Sequence, residues 1–197
     1  MLKEIASYLN DKVTNAEAVA VEAEVGDGHV LVNKEALFDS VKALKKSDEH
    51  DINVLQVISG VDYENHIEVN YMLASFTKNT EFILKIRLEK SSNSDTPEVD
   101  SIVSLYRSAN FLEREVYDMN GVIFKNHPDH RRILCPEDWE GYPMRKDYKV
   151  QKEWSGLEVN PEHKVNAADH NFYKEIIDRM GGEKKKVTYS WSSDAES

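Results

Sequence analysis

Residues Ala109–Tyr148 read ANFLEREVYDMNGVIFKNHPDHRRILCPEDWEGYPMRKDY, and the other segments of the chain are arranged around them. The stretch opens as a helix, with Phe111, Leu112, Val116 and Tyr117 apolar among Glu113, Arg114, Glu115 and Asp118. Asn120-Gly121 ends it, because Gly tolerates the positive φ that follows many helix C-termini. The short apolar run Val122 to Phe124 comes next, followed by His127-Pro128 and the basic pair Arg131-Arg132. Ile133-Leu134 and the turn-rich Gly141-Tyr142-Pro143-Met144-Arg145-Lys146-Asp147-Tyr148 complete it. Charges of both signs stand beside apolar residues on fixed turns, which is not the pattern of a solvated face.

Upstream, Leu2 to Asn10 reads as a short helix, with Leu2, Ile5, Ala6 and Leu9 at 3–4 spacing. Ala16 to Val25 alternates in part and is a strand candidate. Gly26-Asp27-Gly28 signals a turn, and His29 to Val32 returns as a strand. Asn33 is placed to cap a helix over Lys34 to Lys46, whose Leu37, Phe38, Val41 and Leu44 form one stripe. Three strands follow: Val54 to Ile58, Ile67 to Phe76, and a run in which Phe82, Leu84, Ile86 and Leu88 alternate with Ile83, Lys85, Arg87 and Glu89. Residues 1–90 therefore predict a two-layer α+β domain with a mixed sheet, in the order helix, two strands, helix, three strands.

Ser91 to Thr96 is a polar linker. Thr96-Pro97-Glu98 has the signature of a helix start: a hydroxyl cap, Pro at the first position, then an acid. The expected helix carries Val99, Ile102, Val103, Tyr106 and Ala109 on one face. The same stripe continues to Glu113, which places a carboxylate on the apolar side, where an unpaired charge is costly. Residues 97–150 thus form a helix plus an extended charged arm, and residues 151–197 a C-terminal extension. In that extension Ala167 to Met180 patterns as an amphipathic helix, and Val187-Thr188-Tyr189 as a docking strand.

Composition narrows the function classes. The 197 residues carry a net charge of -11, and 31% are charged. A strongly acidic balance argues against nucleic acid, since phosphate binding needs a basic excess. The single cysteine, Cys135, excludes an internal disulfide and a self-contained cysteine-ligated iron–sulfur cluster, which needs about four thiolates. No apolar run approaches the roughly 20 residues of a membrane span, and the N-terminus lacks the apolar core of a signal peptide. The expectation is a soluble cytoplasmic chain that meets a membrane only through partners.

Individual residues invite chemistry that their context does not support. His127 and His130 straddle a Pro and share no helix face, which makes a weak metal signal. Glu113, Glu115 and Asp118 offer carboxylates for hydrolysis, but general acid–base work needs a cleft and a tuned pKa. Arg114 to Asp118 has the spacing of a simple i,i+4 pair. Arg131-Arg132 and Arg145-Lys146 come without a Gly-rich phosphate loop. Cys135 has no nominated base. Arg is well suited to bidentate carboxylate pairing. The expectation is therefore that Glu113 or Glu115 pairs with Arg131, Arg132 or a partner's basic group. Trp139, Tyr142 and Pro143 suit either an interface anchor or packing under a loop.

Three blocks in this order, EREVYDMNG, HPDHRRIL and GYPMRKDY, resemble the signature of the C subunit of NADH:quinone oxidoreductase, respiratory complex I. The likeness extends more loosely over residues 1–90. Asn120 stands where that family usually has an aromatic, His130 where Leu is usual, and Lys149 where Pro often follows the last aromatic. The signature and interface positions carried over are Glu113, Arg114, Glu115, Asp118, Gly121, Phe124, His127, Pro128, Arg131, Arg132, Ile133, Leu134, Gly141, Pro143, Arg145, Lys146 and Asp147. The resemblance implies a scaffold subunit of the hydrophilic arm, peripheral on the cytoplasmic face of the inner membrane. Its neighbours would be chiefly the D subunit, with the B and I subunits nearby. FMN and the iron–sulfur clusters would lie in partner subunits and no cofactor in this chain, while the whole complex moves electrons from NADH to quinone and translocates protons. The chain alone does not separate this from the matching subunit of a related membrane-bound hydrogenase or of a dehydrogenase with another electron donor. An independent carboxylate hydrolase is the reading from a different class.

Overall fold

The first helix, α1 (Leu2–Lys12), buries Ile5, Ala6 and Leu9, the stripe its spacing predicts. This computed structural model describes residues 1–22, 26–90 and 96–159. Two short strands follow, β1 (Val19–Val21) and β2 (His29–Leu31). The strand expected over Ala16 to Val25 is thus shorter. Ala16 and Ala18 are buried in its approach, and residues 23–25 lie outside the described residues. Asn33 caps as expected, its side chain accepting the Glu35 N–H at 3.2 Å. It starts a 3₁₀ turn (Lys34–Ala36) that leads into α2 (Leu37–Lys46).

Three long strands, β3 (Val54–Asp62), β4 (His66–Ser75) and β5 (Thr80–Glu89), complete a sheet ordered β1-β2-β5-β4-β3. It is mixed: β2 and β5 run parallel, and the other neighbours are antiparallel. Tyr71 lies opposite both Ile58 and Leu84, and Val69 opposite Gly60 and Ile86, so these residues share one face. That face holds the core with the helices: Leu9, Leu37, Val41, Leu44, Ile67, Val69, Tyr71, Leu73, Leu84, Ile86 and Leu88 have no more than 1% of their surface exposed. Burying a Leu, Ile or Val side chain contributes about 1.5–3 kcal/mol, so this layer dominates the stability of the fold.

Residues 97–108 depart from expectation. No helix begins at Pro97. Glu98–Asp100 form a strand, β6, which pairs in parallel with β7 (Ile123–Lys125). The Pro97 carbonyl accepts the Ile123 N–H at 2.9 Å, and the Ser101 N–H reaches the Lys125 carbonyl at 2.9 Å. Pairing with a distant strand outcompetes a local helix start, as tertiary contacts commonly override propensity. Successive turns then replace the helix: Tyr106 N–H bonds the Ile102 carbonyl and Ala109 N–H the Tyr106 carbonyl, each at 3.0 Å. These turns bury Val99, Ile102, Tyr106 and Ala109 all the same, so the apolar spacing is met without a continuous helix. The helix proper, α3, runs from Ala109 to Asn120.

Contacts group residues 1–151 as one unit and 152–197 as a second. Within the second, β8 (Glu153–Trp154) and β9 (Leu157–Glu158) form a small antiparallel hairpin with Gly156 at φ +76°. The patterns at 167–180 and 187–189 lie outside the described residues.

Candidate interaction site: helix α3 and its arm

Helix α3 approaches β3 closely because Gly60 has no side chain. A Cβ there would lie 2.5 Å from Asn120 Oδ1 and 3.1 Å from Val116 Cγ1. The helix ends at Gly121, whose φ of +73° is left-handed and whose N–H bonds the Tyr117 carbonyl at 2.8 Å. Gly is required there twice over, since a Cβ would also fall 2.6 Å from the Tyr142 ring and 2.8 Å from an Arg145 terminal nitrogen. Arg145, 6% exposed, fills the space. Its Nε donates to the Asn120 carbonyl at 2.6 Å and a terminal nitrogen to the Gly121 carbonyl at 3.4 Å. A cation at a helix C-terminus faces carbonyls that have no intrahelical donor, and it is favoured there by the helix dipole.

Asp118 is the second anchor. One carboxylate oxygen accepts Arg132 at 2.9 Å. The other accepts three consecutive backbone N–H groups, Ile133 at 3.0 Å, Leu134 at 2.6 Å and Cys135 at 2.9 Å. Burial pushes its pKa upward, but these four donors outweigh burial and hold it below the usual aspartate value. Arg132 also donates to the Gly141 carbonyl at 2.8 Å, and both Arg132 and Arg145 lie over the Tyr142 ring, 5.2 and 4.8 Å from its centre. Tyr142 therefore packs inside the arm. Trp139 is half-buried and donates to the Tyr148 hydroxyl at 2.9 Å. Pro143 lies half-buried in the same turn. The Lys146 N–H bonds Asp62 at 3.0 Å, and Asp62 pairs with Lys90 at 2.5 Å, which ties the arm to the end of the sheet.

Arg114 is largely buried and pairs with Asp129 at 3.3 Å while donating to the Arg131 carbonyl at 3.0 Å. The expected Arg114–Asp118 pair does not form, because each residue has a better partner in the arm. Arg131 closes an exposed pair with Asp129 at 2.6 Å, of a kind worth about 0–1 kcal/mol.

The expected pairing of Glu113 or Glu115 with Arg131 or Arg132 does not form within the chain either. Glu115 is exposed, whereas Glu113 is fully buried. One Glu113 oxygen accepts the Ile102 N–H at 2.8 Å, and the other lies 3.9 Å from His127 Nε2. Burial raises the Glu113 pKa to about 7, against the lowering effect of hydrogen bonds from Ser101 and Ile102. The reason for the failed expectation is geometric: the face of α3 that carries Glu113 turns toward the 97–108 turns, and Asp118 faces the arginines. The carboxylates of Glu113 and Glu115 thus share no cleft.

His127 Nδ1 accepts the Asp129 N–H at 3.0 Å, which leaves Nε2 to donate to the Asn110 carbonyl at 3.1 Å. His130 Nε2 accepts the Phe124 N–H at 3.0 Å, and its ring packs 4.1 Å from that of Tyr117. Burial lowers the pKa of both histidines. Among the described residues no group of three or more His, Cys, Asp or Glu is arranged to hold a metal. Burial raises the Cys135 thiol pKa, and Asp118 adds to the shift. Phe124 is a core residue, Ile133 is half-buried, and Pro128, Lys146 and Asp147 are exposed. Gly60, Asp62, Lys90, Asn110 and Asp129 escaped the sequence reading. Only Gly60 had a local signal, a glycine inside a strand pattern.

Asp118 and Arg114 of α3 and Arg132 and Arg145 of the arm thus turn inward, while Leu134 and Met144 are each 62% exposed and Phe111 is 65% exposed, beside exposed charges such as Arg131, Lys146 and Asp147. Fold and site define an α+β protein whose charge-anchored arm leaves large apolar side chains open to solvent. The model of the "Respiratory-chain NADH dehydrogenase, 30 Kd subunit" family matches residues 30–154, and the chain belongs to that family. The C subunit of the NADH-quinone oxidoreductase of Roseiflexus sp. (strain RS-1) is 40% identical over 141 residues, which cover 70% of this chain and 79% of that protein. The corresponding C subunit of Chlorobium phaeobacteroides is 43% identical over 54% of this chain and 64% of its own length. A chain of the membrane-bound sulfane sulfur reductase, an archaeal respiratory membrane complex, shares the fold, with a TM-score of 0.60 at 21% identity over 95% of this chain and 98% of that one. No helix among the described residues is long and apolar enough to cross a membrane.

Proposed function

We propose that this chain is a scaffold and assembly subunit in the hydrophilic arm of a proton-translocating NADH:quinone oxidoreductase. In this reading it carries no active site, flavin or iron–sulfur cluster of its own. It holds the quinone-reducing module together on the cytoplasmic face of the membrane, with the D subunit as its main neighbour and the B and I subunits nearby. The observation that carries the reading is the pairing of buried charge with exposed apolar side chains. Ion pairs and hydrogen bonds within the chain occupy Asp118, Arg132 and Arg145, while Phe111 of α3 and Leu134 and Met144 of the arm are open to solvent among exposed charges such as Arg131, Lys146 and Asp147. Large apolar residues displayed on a framework fixed from within are suited to a protein interface.

The test is affinity purification of the full chain from its native cell, with identification of co-purifying chains and assay of electron transfer from NADH and from other donors to quinone. The D, B and I subunits should co-purify, and NADH should drive the reaction. Recovery of the chain alone, or turnover by the isolated chain, would overturn the reading. The purified chain should also show no flavin or iron–sulfur absorbance, and a reproducible one-to-one metal content would contradict the cofactor-free assignment.

A further inference from the structure

Among the described residues, helices α1, α2 and α3 lie against one face of the five-stranded sheet. The strand register defines the other. Val61, Glu68 and Arg87 form one cross-strand row, and Ser59, Asn70, Lys85, Leu31 and Val19 the next. Val57, Met72, Ile83, His29 and Val21 form a third. An antiparallel sheet commonly leaves one face to water and covers it with polar side chains. This face differs in two respects.

First, apolar residues reach both edges of the sheet. Val57 and Val61 on β3 are 44% and 40% exposed and Val19 on β1 is 55% exposed, while Met72, Ile83 and Leu31 lie half-buried between them. Second, the centre holds an organised charge cluster. Glu68 is only 4% exposed and accepts Lys85 Nζ and Arg87 Nε, each at 2.8 Å, with His66 Nε2 at 3.6 Å. Two cations share one carboxylate there, and Glu81 and Glu89 lie on the same face toward the two ends of β5. Glu68 engages Arg87 through Nε, and half of the Arg87 side chain remains exposed. A half-exposed guanidinium has donors beyond Nε with which to pair a second carboxylate.

We propose that this opposite sheet face is a second protein-docking surface, separate from the arm, which receives a partner subunit presenting an Asp or Glu carboxylate to Arg87 within a rim of apolar side chains that pack on Val57 and Val61. The inference rests on the reading of the chain as a subunit of a larger complex. Apolar contacts exclude water around a central charge pair, the arrangement in which interfacial ion pairs fix register and partner choice.

The experiment uses the full chain expressed in its native cell. A photo-crosslinking residue is placed at Val61 and, separately, at Leu134 of the arm. Arg87→Glu and Val57→Glu are compared with wild type for recovery in the purified complex and for melting temperature of the isolated chain. Position 61 should cross-link to a stoichiometric subunit other than this chain, at a peptide with an Asp or Glu among apolar residues. Arg87→Glu should lower recovery about tenfold, the scale expected for reversing one charge of a close interfacial pair. Val57→Glu, at an already exposed position, keeps the test independent of any folding defect in Arg87→Glu and should also lower recovery. Cross-linking from position 134 but none from position 61, with normal recovery of both variants, would overturn the second surface and leave the scaffold reading intact. A cross-link from position 61 to a second copy of this chain would also overturn it. Failure to cross-link from either position, with the wild-type chain recovered alone, would remove both readings.

Discussion

Glu113 is the most informative single residue to perturb. It is fully buried on α3, receives one N–H from Ile102, and has its pKa raised by burial from an ordinary 4.5 to about 7. A group whose folded-state pKa is raised holds its proton more tightly when folded. Below about pH 4.5 both states are protonated and the contribution to stability is fully present. As pH rises toward 7 the unfolded chain ionises while the folded chain does not, and stability falls. Above about 7 the folded state ionises too, and the loss levels off. A separation of about 2.5 pKa units at 1.36 kcal/mol each makes the full loss roughly 3 kcal/mol.

Glu113→Gln keeps an oxygen for the Ile102 N–H and cannot ionise. Urea unfolding of the full chain, followed by tryptophan fluorescence between about pH 5 and pH 8, should therefore show wild type losing roughly 2–3 kcal/mol more than the variant. Comparing wild type with variant cancels titrations that both share and that lie away from Glu113, such as that of Asp118, whose pKa is lowered. Stability profiles that run parallel to within about 0.5 kcal/mol across this range would refute the assignment of a protonated, buried Glu113.

Asp118 should behave with the opposite sign. Its depressed pKa contributes stability above the ordinary aspartate value of 3.8, lost as pH falls through the lower folded value, so Asp118→Asn should flatten the acid limb of the unfolding profile and cost about 3–5 kcal/mol near neutrality. Arg145→Ala should lower the stability of the isolated chain by about 2–3 kcal/mol in urea unfolding, and Arg145→Lys should recover little of it, because one ammonium does not reproduce the guanidinium's spread of donors. Gly121→Ala, forced to a φ of +73° against Tyr142 and Arg145, should cost about 2–3 kcal/mol by thermal melting. Asp147→Ala, at an exposed side chain, should change isolated-chain stability by less than about 0.5 kcal/mol. In the complex it should reduce the amount assembled, with specific activity per assembled complex near wild type; normal assembly with slow turnover would contradict the scaffold role.

Local pattern was enough wherever one face of one element sets the outcome. The stripe Ile5, Ala6, Leu9 of α1, the Asn33 cap, the alternation along β5 and the glycine stop of α3 all follow from rules that act within a few residues. The three signature blocks named the family for a related reason: turns at Gly121 and Gly141 and buried charges at Asp118 and Arg145 restrict which residues those positions accept. Residues 97–108 show where such rules stop. Thr96-Pro97-Glu98 is a good local helix start, yet β7, some 25 residues further on, offers its backbone to Glu98–Asp100, and pairing at that separation has no local signature. Charge partners were likewise undetermined by sequence. Nearness along the chain favoured Arg114 with Asp118 and the glutamates with Arg131 and Arg132. The tertiary fold instead turned α3 so that Asp118 faced the arm and Glu113 the interior, because the apolar residues beside each of them decide which way the helix rolls.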